Sequence, residues 1–134
     1  MLCADIQDYH ISDKSRIVQL QDALGASKLT HLTLKVDVSC RGYIAPLLDA
    51  AAATPALHFL KVTVLWCDGY YYDRQDISKD LGRAFGVLLA RDMPSLHTLD
   101  VCGCGLGDAA LFRLLAGLSA NTHLRKLELK LQPY

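Results

Sequence analysis

The residue types with the most reactive chemistry are five cysteines, two histidines at matching places and a glycine-rich stretch. The cysteines are Cys3, Cys40, Cys67, Cys102 and Cys104. A structural zinc site needs four converging ligands, usually as two close pairs; only Cys102 and Cys104 are close. An odd count without a CxxC pair suits a reduced chain whose thiols act as small buried hydrophobes. His58 and His97 each follow a leucine directly. Side by side on neighbouring strands they would offer two imidazoles, but no third histidine or carboxylate completes a metal set. A nucleophile built from Cys102 and a histidine lacks a third group to orient the base. Gly103-Cys104-Gly105-Leu106-Gly107 has the glycine content of a phosphate loop, but no Lys-Ser/Thr pair follows it, which favours a turn. G-x-S-x-G, H-E-x-x-H and G-x-G-x-x-G are all missing. The expectation is a chain with no catalytic residue, no metal and no cofactor.

Contact chemistry is better represented. Tyr70, Tyr71, Tyr72 and Arg74 lie in the stretch Cys67-Asp68-Gly69-Tyr70-Tyr71-Tyr72-Asp73-Arg74-Gln75-Asp76-Ile77. Three consecutive tyrosines cannot all be buried on one face of a strand or helix. Tyrosine and arginine together are the composition of binding hot spots. The alternative is a loop that folds back and packs one or two tyrosines against the helices, with Trp66 as support.

The chain that carries these groups has 134 residues, enough for one domain with a buried core. Hydrophobic residues at 51% against 21% charged residues exclude a disordered tail. Equal numbers of basic and acidic residues, 14 of each, argue against a nucleic-acid or anionic-membrane binder. There is no apolar run long enough for a transmembrane helix. The opening MLCADIQDYH lacks the apolar segment of a secretory signal. With the cysteine usage, this predicts a cytoplasmic protein.

The elements follow from an internal period. Leucine occurs 25 times, and four segments share L-x-x-L-x-[LV]: Leu29–Leu32–Leu34, Leu57–Leu60–Val62, Leu96–Leu99–Val101 and Leu124–Leu127–Leu129. They start 28, 39 and 28 residues apart, so the middle interval carries 11 extra residues, placed at about 67–78. A weaker copy, Met1–Ala4–Ile6, lies one period upstream. This predicts a single domain over 1–134 with repeats starting near 1, 29, 57, 96 and 124. Each repeat would pair a short strand with a helix. The helical stripes are Ile17, Leu20, Leu24; Ile44, Leu47, Leu48, Ala51; Leu81, Phe85, Leu88, Leu89; and Leu111, Leu114, Leu115, Leu118. Asp108 is the expected cap of the last helix, with Gly107 in the turn before it. One strand and one helix cannot bury their own apolar faces, whereas stacked copies can.

The best copy, LHTLDVCGCGLGDAALFRLLAGLSANTH from Leu96 to His123, resembles the leucine-rich repeat of the ribonuclease-inhibitor-like class. The likeness rests on L-x-x-L-x-[LV]-x-x-C-x-L closed by Cys104 and Leu106, on Gly107-Asp108 before the helix, and on Asn121 before the next strand. Asp37 and Leu65 stand where that class has Asn or Cys, and Ser39 and Cys67 replace its leucine. The resemblance implies an α/β solenoid, a short right-handed arc with parallel strands on the concave face and helices on the convex face. It further implies a non-enzymatic module that binds another protein.

Register then assigns faces. The expected buried ladder is Leu60, Leu99 and Leu127. The rows His31, Phe59, Thr98, Lys126; Thr33, Lys61, Asp100, Glu128; and Lys35, Thr63, Cys102, Lys130 face away from the core. The candidate partner-binding residues are Phe59, Lys61, Thr98, Asp100, Lys126 and Glu128, with Tyr70, Tyr71, Tyr72 and Arg74 in the loop. Cys102 is expected to be accessible and Cys104 buried. The last strand offers an open edge, so the chain is expected to continue in a longer protein or to be completed by a partner or a second copy through that C-terminal edge. A structural subunit of a large assembly is the alternative function. A regulator resembling GTPase-activating proteins is a weaker one, with no catalytic residue to name.

Overall fold

The computed structural model describes residues 5–11, 14–26, 28–37, 44–65, 74–102 and 107–130. Strands and helices alternate: β1 (Asp5–Ile11), α1 (Lys14–Ala26), β2 (His31–Asp37), α2 (Ile44–Ala52), β3 (Phe59–Leu65), α3 (Arg74–Ala90), β4 (Thr98–Cys102), α4 (Asp108–Ser119) and β5 (Lys126–Lys130). The five strands form one sheet in chain order, and every neighbouring pair runs parallel. Each helix also packs on the next in chain order, α1 on α2, α2 on α3 and α3 on α4. No helix of the described residues is long and apolar enough to cross a membrane.

Period-two alternation selects the face that meets the helices. Leu32, Leu60, Leu99 and Leu127 are in register, as are Leu34, Val62, Val101 and Leu129. Within β2 to β4 these side chains are buried, together with Leu29, Leu57 and Leu96 just before the strands. On β5 the ladder loosens, and Leu124, Leu127 and Leu129 are half-buried. The helices contribute the stripes expected for α1, α2 and α3.

The fourth stripe is rotated from its expected position. Leu114 is buried and Leu111 and Leu118 are half-buried, but Leu115 is 44% exposed, and Ala110 and Gly117 face inward instead. The cause is the close approach of α3 and α4. A Cβ on Gly117 would collide with the Gly86 backbone, one on Gly82 with the Ala110 carbonyl, and one on Gly86 would lie 2.7 Å from the Arg113 carbonyl oxygen. Small residues, not leucines, therefore form this contact. The helix also starts one residue earlier in function than expected. Gly107 is the N-cap, its carbonyl accepts from Leu111 N at 2.9 Å, and Asp108 lies in the first turn, where its charge suits the helix dipole.

The turns before the strands share one construction. Leu57 N donates to Thr54 O at 3.3 Å and Leu96 N to Met93 O at 3.4 Å, with Pro55 and Pro94 second in each turn. Proline presets φ for that place and stops the preceding helix. After α4, Leu124 N donates to the Asn121 side-chain oxygen at 2.7 Å instead. The next contact repeats three times. Thr30 O accepts from His58 N and Phe59 N, His58 O from His97 N and Thr98 N, and His97 O from Arg125 N and Lys126 N, all within 2.8–3.1 Å. One carbonyl thus anchors the start of each following strand and fixes the register.

Candidate protein-binding face

The sheet face opposite the helices is ordered by that register. His31, Phe59, Thr98 and Lys126 form one row across β2 to β5; Thr33, Lys61, Asp100 and Glu128 form the next; Lys35, Thr63, Cys102 and Lys130 form the third. Six of the ten candidate residues, Phe59, Lys61, Thr98, Asp100, Lys126 and Glu128, therefore come together on one surface. Tyr70, Tyr71 and Tyr72 lie outside the described residues, as does the side chain of Arg74, which opens α3. Cys104 and most of the long interval at 67–78 also lie outside them.

Two residues of the face differ from expectation. Asp100 is 6% exposed and Cys102 is 2% exposed, so neither presents itself to solvent. On β4 the longer Lys61 and Glu128 flank Asp100, and Cys102 stands between the buried Thr63 and the longer Lys130. The Cys102 thiol donates to Asp100 Oδ1 at 3.1 Å. Burial, the Asp100 hydrogen bond and the Asp100 charge push the thiol pKa up, against the weaker pull of Lys61 and Lys130. A protonated thiol is a poor nucleophile.

Around this buried centre the face is exposed or half-buried, except for the buried Thr63. Phe59 stacks on His31 with ring centroids 5.6 Å apart and planes 26° apart. Lys126 Nζ lies 3.0 Å from Glu128 Oε1. The Lys126 hydrogen bond and charge hold the Glu128 carboxyl below its usual pKa. Lys35, Lys61 and Lys130 make no ion pair among the described residues.

His58 and His97 meet as the sequence suggests, with ring centroids 5.3 Å apart and planes 11° apart. Their ring nitrogens do not converge, because two stacked, nearly parallel planes share no point where one metal ion could sit in both. His58 Nδ1 faces the Ser95 carbonyl at 2.9 Å and, since a carbonyl only accepts, carries the proton. Desolvation, then the charges of Arg125, His58 and His123, lower the His97 pKa. Among the described residues no three His, Cys, Asp or Glu side chains gather into a metal-holding group.

Asp92 is a residue that sequence patterning passes over. Its φ is 51°, in the left-handed region that Asp tolerates better than most residues. Oδ1 accepts from Thr122 N at 2.7 Å, His123 N at 3.2 Å and His123 Nδ1 at 2.9 Å, and Oδ2 accepts from the Thr122 hydroxyl at 2.7 Å. The Thr122 hydrogen bonds, followed by that of His123, hold this carboxyl well below the usual range. Asn121 works beside it, donating to Leu89 O at 2.9 Å and accepting from His123 N at 3.0 Å. The two side chains tie the turn after α3 to the turn after α4. Asn121 was visible as a polar residue before the last strand; Asp92 had no such signal, because its partners lie 30 residues on.

On the helix side, a cleft of about 400 Å³ opens between α2 and α3, with Leu48, Ala84 and Val87 in its walls. Arg91 and Asp49 bridge it at 2.6 Å. No family model matches the chain, and no curated protein or solved structure matches it either.

Proposed function

We propose that the chain is a leucine-rich-repeat solenoid of the ribonuclease-inhibitor-like class, acting as a non-enzymatic module that binds another protein. The observation that carries this reading is the register. Residues 28, 39 and 28 positions apart stand side by side on four strands, from His31 through Phe59 and Thr98 to Lys126. Each strand start hangs on the equivalent carbonyl of the strand before. A stack of this kind presents one continuous strand face, the usual ligand surface of solenoids. Phe59, Lys61, Thr98, Lys126 and Glu128 are its accessible members, and Asp100 is buried among them. Tyr70, Tyr71, Tyr72 and Arg74 join the proposal as partner contacts on their composition alone.

The test is affinity capture from the native source with the unaltered chain and with Phe59→Ala/Thr98→Arg, both checked for folding by circular dichroism. A partner retained by the first and lost by the second supports the reading. Equal retention by both overturns the assignment of this face.

A second function, a structural subunit of a larger assembly, draws support from α4. Phe112 is 75% exposed beside Leu115 on its outer surface. Under that reading, Phe112→Ser/Leu115→Ser would abolish incorporation while leaving the strand-face partner bound.

A further inference from the structure

We infer that the strand face takes an acidic polypeptide segment, with Lys35, Lys61, Lys126 and Lys130 as the cations that receive its carboxylates; this rests on the strand face being the binding surface. The chain as a whole is neutral, yet its charges are not evenly spread. Over β2 to β5 the described side chains of this face include four lysines and two carboxylates. Asp100 is buried under its neighbours and already accepts the Cys102 thiol, and Glu128 is held by Lys126. Lys35, Lys61 and Lys130 form no ion pair among the described residues, although the Lys130 charge also acts on Glu128. The accessible charge is therefore positive.

The layout favours polypeptide over nucleic acid. Lys126 and Lys130 are four residues apart on one face of β5, a separation of about 13 Å. Lys61 stands two strands away, roughly 10 Å across the sheet. In an extended segment, alternate residues are about 6.6 Å apart, so carboxylates four residues apart match the separation of Lys126 and Lys130. Glu128 and Asp100 sit between the lysines and would repel a continuous polyanion. A peptide interleaves its carboxylates with amide donors, which can meet the half-buried Glu128 carboxylate. The face also lacks arginine among these positions, whose planar fork is the better match for phosphate.

Fluorescence anisotropy with a short labelled peptide carrying glutamate at alternate positions tests this, against the same peptide with glutamine and a single-stranded oligonucleotide of equal charge. The glutamate peptide should bind, weaken as salt rises, and lose roughly tenfold or more in affinity to Lys61→Glu/Lys130→Glu, since like charges across an interface are costly. Lys61→Gln/Lys130→Gln should give an intermediate loss. Equal binding of the glutamate and glutamine peptides overturns the proposal, as does an unchanged affinity in the charge-reversed variant. Tighter binding of the oligonucleotide overturns it in favour of a general polyanion site. A native partner that depends on Phe59 and Thr98 but ignores the lysine reversals would leave the protein-binding reading standing and remove this one.

Discussion

Asp92 combines a backbone conformation unusual for a side-chain-bearing residue with a carboxylate that takes four hydrogen bonds from Thr122 and His123. Its folded-state pKa lies below the ordinary 3.8, so the unfolded chain binds the proton more readily. The stabilisation is thus complete above the unfolded value and is lost as pH falls below it toward the folded one. Urea unfolding of Asp92→Asn should show a lower midpoint than the unaltered chain at neutral pH, with the gap closing as pH drops below about 4. A gap independent of pH would mean that the ionised carboxylate is not what holds the two turns together. His97 follows the same sign for a different reason, since its charged form is disfavoured by desolvation and by Arg125, His58 and His123. Its NMR titration midpoint should fall below 6.5, and Arg125→Gln should move it upward. At Cys102 burial, reinforced by the Asp100 hydrogen bond and charge, pushes the thiol pKa up and keeps it protonated. Native-state alkylation should be slow, and Asp100→Asn should speed it by easing ionisation.

At the scale of elements, the helix layer is least legible where it is most tightly packed. The spacing of Leu111, Leu114, Leu115 and Leu118 suggests a leucine stripe on α4, but the α3–α4 contact is backbone against backbone at Gly82, Gly86 and Gly117. A hydrophobic pattern registers which residues seek burial; it does not register how near two helices come. The strands were legible, because period-two alternation with one apolar face allows only one register. Gly→Ala in an open helix gains about 1 kcal/mol of propensity. At Gly86 and Gly117 the added methyl meets backbone that cannot rotate away, and overpacking of that kind costs about 1–3 kcal/mol. Gly117→Ala should therefore lower the melting temperature, and a rise would show that the helices sit further apart. The sheet supplies the matching comparison. Leu99 is fully buried and Leu127 half-buried in the same row. Leu99→Ala should cost roughly 2–5 kcal/mol, and Leu127→Ala distinctly less.

At the scale of the molecule, every substantial contact between described elements joins immediate neighbours in the stack. The spacing of the leucines made that order readable: intervals of 28, 39 and 28 residues become adjacent strands because each strand and its helix leave an apolar face for the next to cover. The candidate face was legible as a set of positions and less so as a surface. Alternation places Asp100 and Cys102 on the side away from the helices, but it carries no information on how long lysines and a glutamate on flanking strands enclose short side chains between them. Matching turns, Thr54-Pro55 and Met93-Pro94, were in the sequence as a further sign of the same period. Nearest-neighbour stability has a consequence for unfolding. In a stack of this kind each unit is stabilised by its own packing and by the units on either side, so opening proceeds from the weaker end. Leu34, Val62 and Val101 are fully buried, whereas Leu127 and Leu129 on β5 are half-buried and follow the Thr122 that Asp92 holds. Amide hydrogen exchange under native conditions should therefore rank β3 slowest and β5 faster, with Asp92→Asn accelerating β5 while leaving β2 and β3 nearly unchanged. Exchange that slows and quickens uniformly across all strands in both proteins would mean that the sheet opens as one cooperative unit, and the additive picture of stacked neighbours would fail.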